Sequence, residues 1–278
     1  MAREHAAALP RGRMLGTVFA KTLRDQRRSY PWWVAGFVLT IMMYASFWPS
    51  VSSNAAQFDE YLQNLPEVFK ELLGTAGFAT AEGYLQSELF SFLGPILLLV
   101  YAIGAGARAI AGEEEAGSLD LLLSTPVRRR RVLADKFGAM VLGTFGLALA
   151  MWLSVVALGA IWDLRPDLAN FTAASVHLFL LAVAFGAISL AVGAATGGKG
   201  LAIGVPSGVA LITFVVNLFG TAVSWIEPLR PLSPFYYYSG SQPLTNGLHT
   251  VHALVLVAIS AVALAVALWA FERRDLAA

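Results

Sequence analysis

Residues 89–107 read LFSFLGPILLLVYAIGAGA and carry no Asp, Glu, Lys or Arg; residues 108–136, RAIAGEEEAGSLDLLLSTPVRRRRVLADK, are crowded with charge of both signs. This junction decides the fold. A membrane-spanning helix needs about 20 consecutive apolar residues, and the first stretch supplies them. Working outward, five further uncharged runs appear, so the predicted spans are 31–48, 89–107, 137–161, 173–195, 201–222 and 251–270. Composition agrees: of 278 residues, 57% are hydrophobic and 13% charged, with a mean hydropathy of +0.66. Soluble domains run near 45–50% apolar and about 25% charged. The expected fold is an all-α membrane protein of six transmembrane helices.

Basic residues orient it. Seven lie in residues 1–30 and six in 108–136; with Lys199, Arg273 and Arg274 that is sixteen on one side, against Lys70, Arg165 and Arg230 on the other. The side rich in lysine and arginine is the cytoplasmic one, so both termini and the 108–136 loop are expected in the cytoplasm. The 18 acidic residues divide evenly and leave the outer face negative. A cleaved signal peptide is the rival for the first span, but its basic leader is too long and its apolar run fills a whole span.

Three stretches between or before the spans have their own pattern. Residues 14–28 place Leu15, Val18, Phe19 and Thr22 at helical spacing, with Lys21, Arg24, Asp25, Arg27 and Arg28 on other faces. An amphipathic helix lying in the cytoplasmic interface is predicted there. Outside, residues 51–88 set Phe58, Tyr61, Leu62, Leu65, Val68, Phe69, Leu72 and Leu73 against Asp59, Glu60, Glu67 and Glu71, a pattern for outer amphipathic helices that cover span ends. In 223–250, Trp225, Phe235, Tyr236, Tyr237 and Tyr238 read as interfacial anchors.

Several chemistries are disfavoured. The absence of cysteine excludes disulfides, thiolate metal sites and a cysteine nucleophile. A net charge of +1 suggests no nucleic-acid partner. The predicted spans hold no ionisable acid, lysine or arginine away from their ends, which disfavours an ion-driven carrier; His177, Asn217 and His252 are their strongest polar groups. Gly193–Gly200 nearly spells a phosphate-binding loop, but Gly200 replaces the magnesium-holding hydroxyl and no strand precedes it. It reads as a tight turn. Gly193/Gly197 and Gly200/Gly204/Gly208 follow a small-xxx-small spacing, which serves either intrachain packing or a subunit interface. Pro206 should kink the fifth span. An alternative of another class is a membrane-embedded hydrolase using His249, His252 and the acidic cluster Glu113–Glu115; another is a scaffold without transport.

The loop carries the most specific signal. After Glu113, Glu114 and Glu115 come Gly117 and Ser118, the latter placed to cap a short helix with Leu119, Leu122 and Leu123 on one face and Pro126 to stop it. An apolar-faced helix between charge clusters suits docking into a groove on a soluble partner. The basic run Arg128–Arg131 and Lys136 suits lipid headgroups. The arrangement Glu113–Glu115, Gly117-Ser118-Leu119, Leu121-Leu122-Leu123, Thr125-Pro126-Val127 and Lys136, between the second and third spans, resembles the ABC-2 type permeases. Gly117-Ser118 replaces the family's usual glycine-threonine and keeps the hydroxyl; Leu232-Ser233-Pro234-Phe235 before the last span also fits.

The resemblance implies the permease of an exporter without catalytic residues of its own. Two such chains, identical or sister permeases, would pair, and two copies of a separate soluble ATPase would bind ATP and Mg. Glu113, Glu114, Glu115, Gly117, Ser118, Leu119, Leu122, Leu123, Thr125 and Pro126 would form the ATPase-coupling segment. Leu15, Val18, Phe19 and Arg24 would belong to the connecting helix. Gly200, Gly204 and Gly208 would lie in the dimer interface. The cargo would be a hydrophobic or amphipathic compound, drug or lipid, exported across the inner (plasma) membrane.

Overall fold

Apolar side chains cannot hide their own backbone from lipid, so each buried run must close its hydrogen bonds internally, as a helix does. The computed structural model describes residues 11–54, 57, 60, 64, 80–119 and 128–274, with side chains from Val18 onward, and within them every long element is helical. In chain order these are α1 (Arg11–Gln26), α2 (Tyr30–Ser53), α3 (Ala81–Glu115), α4 (Arg129–Trp162), α5 (Leu168–Thr196), α6 (Lys199–Phe219), the short α7 (Pro234–Ser239) and α8 (Pro243–Asn246), and α9 (Thr250–Arg273). Six of them, α2, α3, α4, α5, α6 and α9, are long and apolar enough to cross a membrane.

Local chemistry sets the boundaries. Pro31 stands in the first turn of α2, where its missing N–H costs nothing. Thr80 opens α3 by accepting the Gly83 N–H at 3.1 Å, and Asp167 opens α5 by accepting that of Asn170 at 2.8 Å. Because of the Thr80 cap, α3 starts eight residues before the uncharged run and carries Glu82 and Glu88 within it. Glu82 is used there: its carboxylate accepts the Asp167 N–H at 2.8 Å. α4 likewise begins eight residues before its uncharged stretch, with Arg129, Arg130 and Arg131 in its first turn. Gly197, at φ +71°, closes α5 with a two-residue turn into α6, as the near-phosphate-loop stretch was read. α3 itself widens into two π-helical stretches, Gln86–Leu93 and Arg108–Gly112.

α5 is the central post and touches α3, α4, α6 and α9. It crosses α3 closely, where a Cβ on Gly106 would stand 2.4 Å from the Gly186 carbonyl oxygen and one on Gly186 would stand 3.1 Å from the Ala102 carbonyl oxygen. Small residues permit such backbone approach. One turn further on, the Ser189 hydroxyl lies 2.8 Å from the Ile103 carbonyl and 2.7 Å from that of Ala202, joining α3, α5 and α6. α2 and α6 are peripheral: only 22% and 17% of their apolar windows are buried, against 72% for α5.

One sequence expectation changes here. The 223–250 aromatics are not all interfacial anchors. Trp225 is exposed, but Phe235 and Tyr238 are buried: Phe235 packs 5.4 Å from Phe214, and the Tyr238 hydroxyl donates to the Phe90 carbonyl at 2.6 Å. The Ser233 hydroxyl holds this segment in place by donating to the Thr213 carbonyl at 2.8 Å. The apolar stripe Phe58–Leu73 lies outside the described residues.

Candidate functional site

The acidic run at the end of α3 is tied to a different helix at each position. Glu113 pairs with Lys136 of α4 at 2.6 Å, in a place where the lysine is 2% exposed and the glutamate 19%. Glu114 pairs with Arg274, just after α9. Glu115 accepts the Lys199 backbone N–H at 2.8 Å, at the start of α6, where a carboxylate also meets the positive end of the helix dipole. Arg274 in turn donates to the Ala194 carbonyl at 3.1 Å, satisfying the frayed C-terminal end of α5. Three consecutive side chains thus clasp the feet of α3, α4, α5, α6 and α9 together.

Other contacts reinforce the clasp. Arg129 donates to the Arg274 and Phe271 carbonyls at 2.9 and 3.2 Å, with its guanidinium 5.8 Å above the Phe271 ring. Arg130 makes a two-pronged pair with Glu272 that is open to solvent and contributes little. Gly197 is required twice over: its backbone is left-handed, and a Cβ there would stand 2.7 Å from both the Arg274 guanidinium and the Glu114 carboxylate. Gly117, at φ +66°, ends α3, and the Ser118 hydroxyl donates back to the Glu113 carbonyl at 3.2 Å.

Leu119 requires a correction. The sequence put it on an outward docking face, but it is fully buried among Ile110, Leu133, Leu190, Ala194 and Phe271. A leucine that seals the clasp from below cannot also be offered to a partner. Leu122, Leu123, Thr125 and Pro126 lie outside the described residues.

The connecting-helix residues divide similarly. Val18 is buried, and the Phe19 ring covers Gly138 of α4, where a Cβ would stand 3.6 Å from it. Arg24 is exposed, and Leu15 lies within α1 at a position where only the backbone is described. Two tyrosines fasten the α1–α2 junction: the Tyr101 hydroxyl donates to the Gln26 side-chain oxygen at 3.0 Å, and the Tyr30 hydroxyl to the Gly143 carbonyl at 3.0 Å. Between α1 and the clasp lies a polar cavity of about 380 Å³ with Asp25, Gln26, Arg108, Glu113, Lys136 and Lys199 on its walls.

Gly200, Gly204 and Gly208 meet nothing within 4 Å of an added Cβ. Intrachain packing is therefore removed as their role among the described residues, whereas Gly193, close to Ala111 and Ala202, does pack within the chain. The hydrolase alternative fails on distance. His252 and Arg274, which holds Glu114, are 22 positions apart along and just past α9, about 33 Å at 1.5 Å per residue, so the histidines and the acids share no site. The His249 ring instead caps α9, accepting the His252 N–H at 3.3 Å. What sequence reasoning missed was the acids' partners: Arg274 and Lys199 counted only towards topology, although bases at span feet facing three acids are a readable signal.

Among curated proteins the comparison finds no match to this chain. A family model described as ABC-2 family transporter protein matches residues 16–276, which takes in α2 to α9, the clasp and the last two thirds of α1. With its six apolar helices and that match over almost its whole length, the chain belongs to the ABC-2 family of transporter proteins, as a multi-pass membrane permease.

Proposed function

We propose that this permease is the membrane-spanning half of an ATP-driven exporter, oriented with both termini in the cytoplasm of a cell whose inner membrane it crosses. It pairs with a second copy or a sister permease. Two copies of a soluble ATPase bind ATP and Mg and press on the segment that follows Ser118. The cargo is a hydrophobic or amphipathic compound.

The observation that carries this reading is the clasp. Glu113, Glu114 and Glu115 connect the segment entering residues 120–127 to α4, α9 and α6, and Arg274 extends the connection to α5. A push on that segment by a soluble partner reaches these helices together, because the contacts are short and, at Glu113 and Glu114, charged on both sides and largely shielded from water. The face of α6 bearing Gly200, Gly204 and Gly208 supports pairing, since close approach by another helix would meet no obstacle of this chain's own.

The test is Leu122→Asp with Leu123→Asp, which spares buried Leu119. The doubly substituted permease should still be made and folded, yet a soluble ATPase that co-purifies with the native chain should be lost from it. An ATPase that co-elutes as before would remove the 118–126 segment as the coupling element.

A further inference from the structure

Between α2, α3 and α6 runs a second cavity, of about 490 Å³, and its walls are apolar apart from Ser207 and one charged residue. Trp33, Leu99, Ile103, Ile203 and Phe214 line it, and Arg108 stands at its foot. From Phe92 to Arg108 its α3 wall rises through 16 residue steps, about 24 Å at 1.5 Å each, most of a hydrocarbon core about 30 Å thick. The volume falls within the range typical of small-molecule sites.

Arg108 is placed for more than topology. It opens the second π-helical stretch of α3, and π turns frequently mark functional positions. Its guanidinium folds back along α3 over Gly104, where an added Cβ would stand 3.6 Å from Nη1. It makes no ion pair or hydrogen bond among the described residues, in contrast to Lys136 and Arg274 at the same level. The same side chain lines the polar cavity beside α1, so it stands where the two cavities meet. The charges of that polar cavity are Asp25 and Glu113 against Arg108, Lys136 and Lys199. Since Glu113 is held by Lys136, two cations face a single carboxylate. Arg108 is exposed at the mouth of the slot, so its charge is open to an anionic partner there.

We propose that this cavity binds an amphiphile with an anionic head, the head against Arg108 and the apolar body along α3 towards Phe92. The occupant is a membrane lipid or a soluble amphiphile of the same chemistry. As a statement about cargo this rests on the transport reading; as a binding site it stands without it. Gly204 and Leu211 are seven residues apart and share a face of α6, so the open glycine face continues into the cavity rim at Leu211. A second chain seated on those glycines would border the slot.

The test uses the purified chain in neutral maltoside micelles, without any ATPase. Two probes share a brominated 12-carbon chain that quenches tryptophan fluorescence; one carries a phosphate head, the other trimethylammonium. The phosphate probe should quench at a concentration lower by about tenfold or more, the scale of one charge-assisted contact. Trp33→Phe should remove most of that quenching, which locates the probe. Arg108→Gln should erase the head-group preference, Arg108→Lys should retain most of it, and Arg108→Glu should reverse it. Competition by phosphatidylglycerol but not phosphatidylcholine would identify the occupant as a lipid; competition by neither, with the probe preference intact, would identify a free amphiphile. Equal binding of both probes, or a preference unchanged in Arg108→Gln, overturns the proposal. If no ATPase co-purifies with the native chain while probe binding is intact, that counts against the transport reading alone.

Discussion

Lys136 and Glu113 form a shielded ion pair at the centre of the clasp, and removing one partner should cost far more than removing both. Their Nζ–O distance is 2.6 Å, with the lysine 2% exposed. Breaking a buried pair from one side typically costs 3–5 kcal/mol, because the remaining charge is stranded. Glu113 is 19% exposed, at the edge of the polar cavity, so the lower end, about 3 kcal/mol, applies to Lys136→Met. At roughly 2–4 °C per kcal/mol for a chain of this size, that is about 6–12 °C of thermal midpoint. Glu113→Gln should cost at least as much, since it strands the more deeply buried ammonium. The double variant should melt above either single one, which requires a coupling of more than about 3 kcal/mol, the top of the usual range for groups in contact. Melting of the purified permease in detergent, followed by tryptophan fluorescence and by loss of the monodisperse elution peak, measures all four proteins. If the double variant melts at the sum of the two single losses, the pair is not a unit and the clasp as described is wrong.

Other consequences can be read from the same packing. Gly106→Ala, which brings a Cβ within 2.4 Å of the Gly186 carbonyl oxygen, should cost about 1–3 kcal/mol by overpacking, whereas Gly204→Ala should change the melt of the isolated chain by no more than about 0.5 kcal/mol. Gly204→Trp should leave that melt equally unmoved yet shift the assembled permease to a smaller elution size; an unchanged size would remove the α6 face from the interface. Tyr101→Phe should cost about 1 kcal/mol through the lost bond to Gln26 and speed proteolysis of α1. Because the chain has no cysteine, single cysteines at positions 24 and 225 can be labelled from either side; the orientation read from the basic residues requires position 24 to react from the cytoplasm and position 225 from outside.

Leu119 and two sets of glycines mark where reading along the chain ends. Periodicity and motif place Leu119 in an apolar stripe, but a stripe does not say which neighbour covers it. Here α3, α4, α5 and α9 do, because α3 stops at Gly117 and drops Leu119 between their feet. The glycines show the same limit from the other side. Gly200, Gly204 and Gly208 have the regular spacing and face open space, while Gly106 and Gly186, in two different helices with no shared spacing, form a close crossing. Spacing reports only what one helix can offer; closeness is a property of two.

By itself the sequence determined the six spans, their uncharged character, the turn at Gly197-Gly198 and the family-like loop. These follow from local causes: the length of an apolar run, the energetic cost of charge in lipid and the backbone freedom of glycine. Tertiary structure alone decided which base answers each of Glu113, Glu114 and Glu115, that Leu119 is core, and that Arg108 stands unpaired among the described residues where an apolar and a polar cavity meet. The partners lie between 23 and 160 residues away along the chain, and only the packing of α3, α4, α6 and α9 around α5 brings those charges within reach of one another.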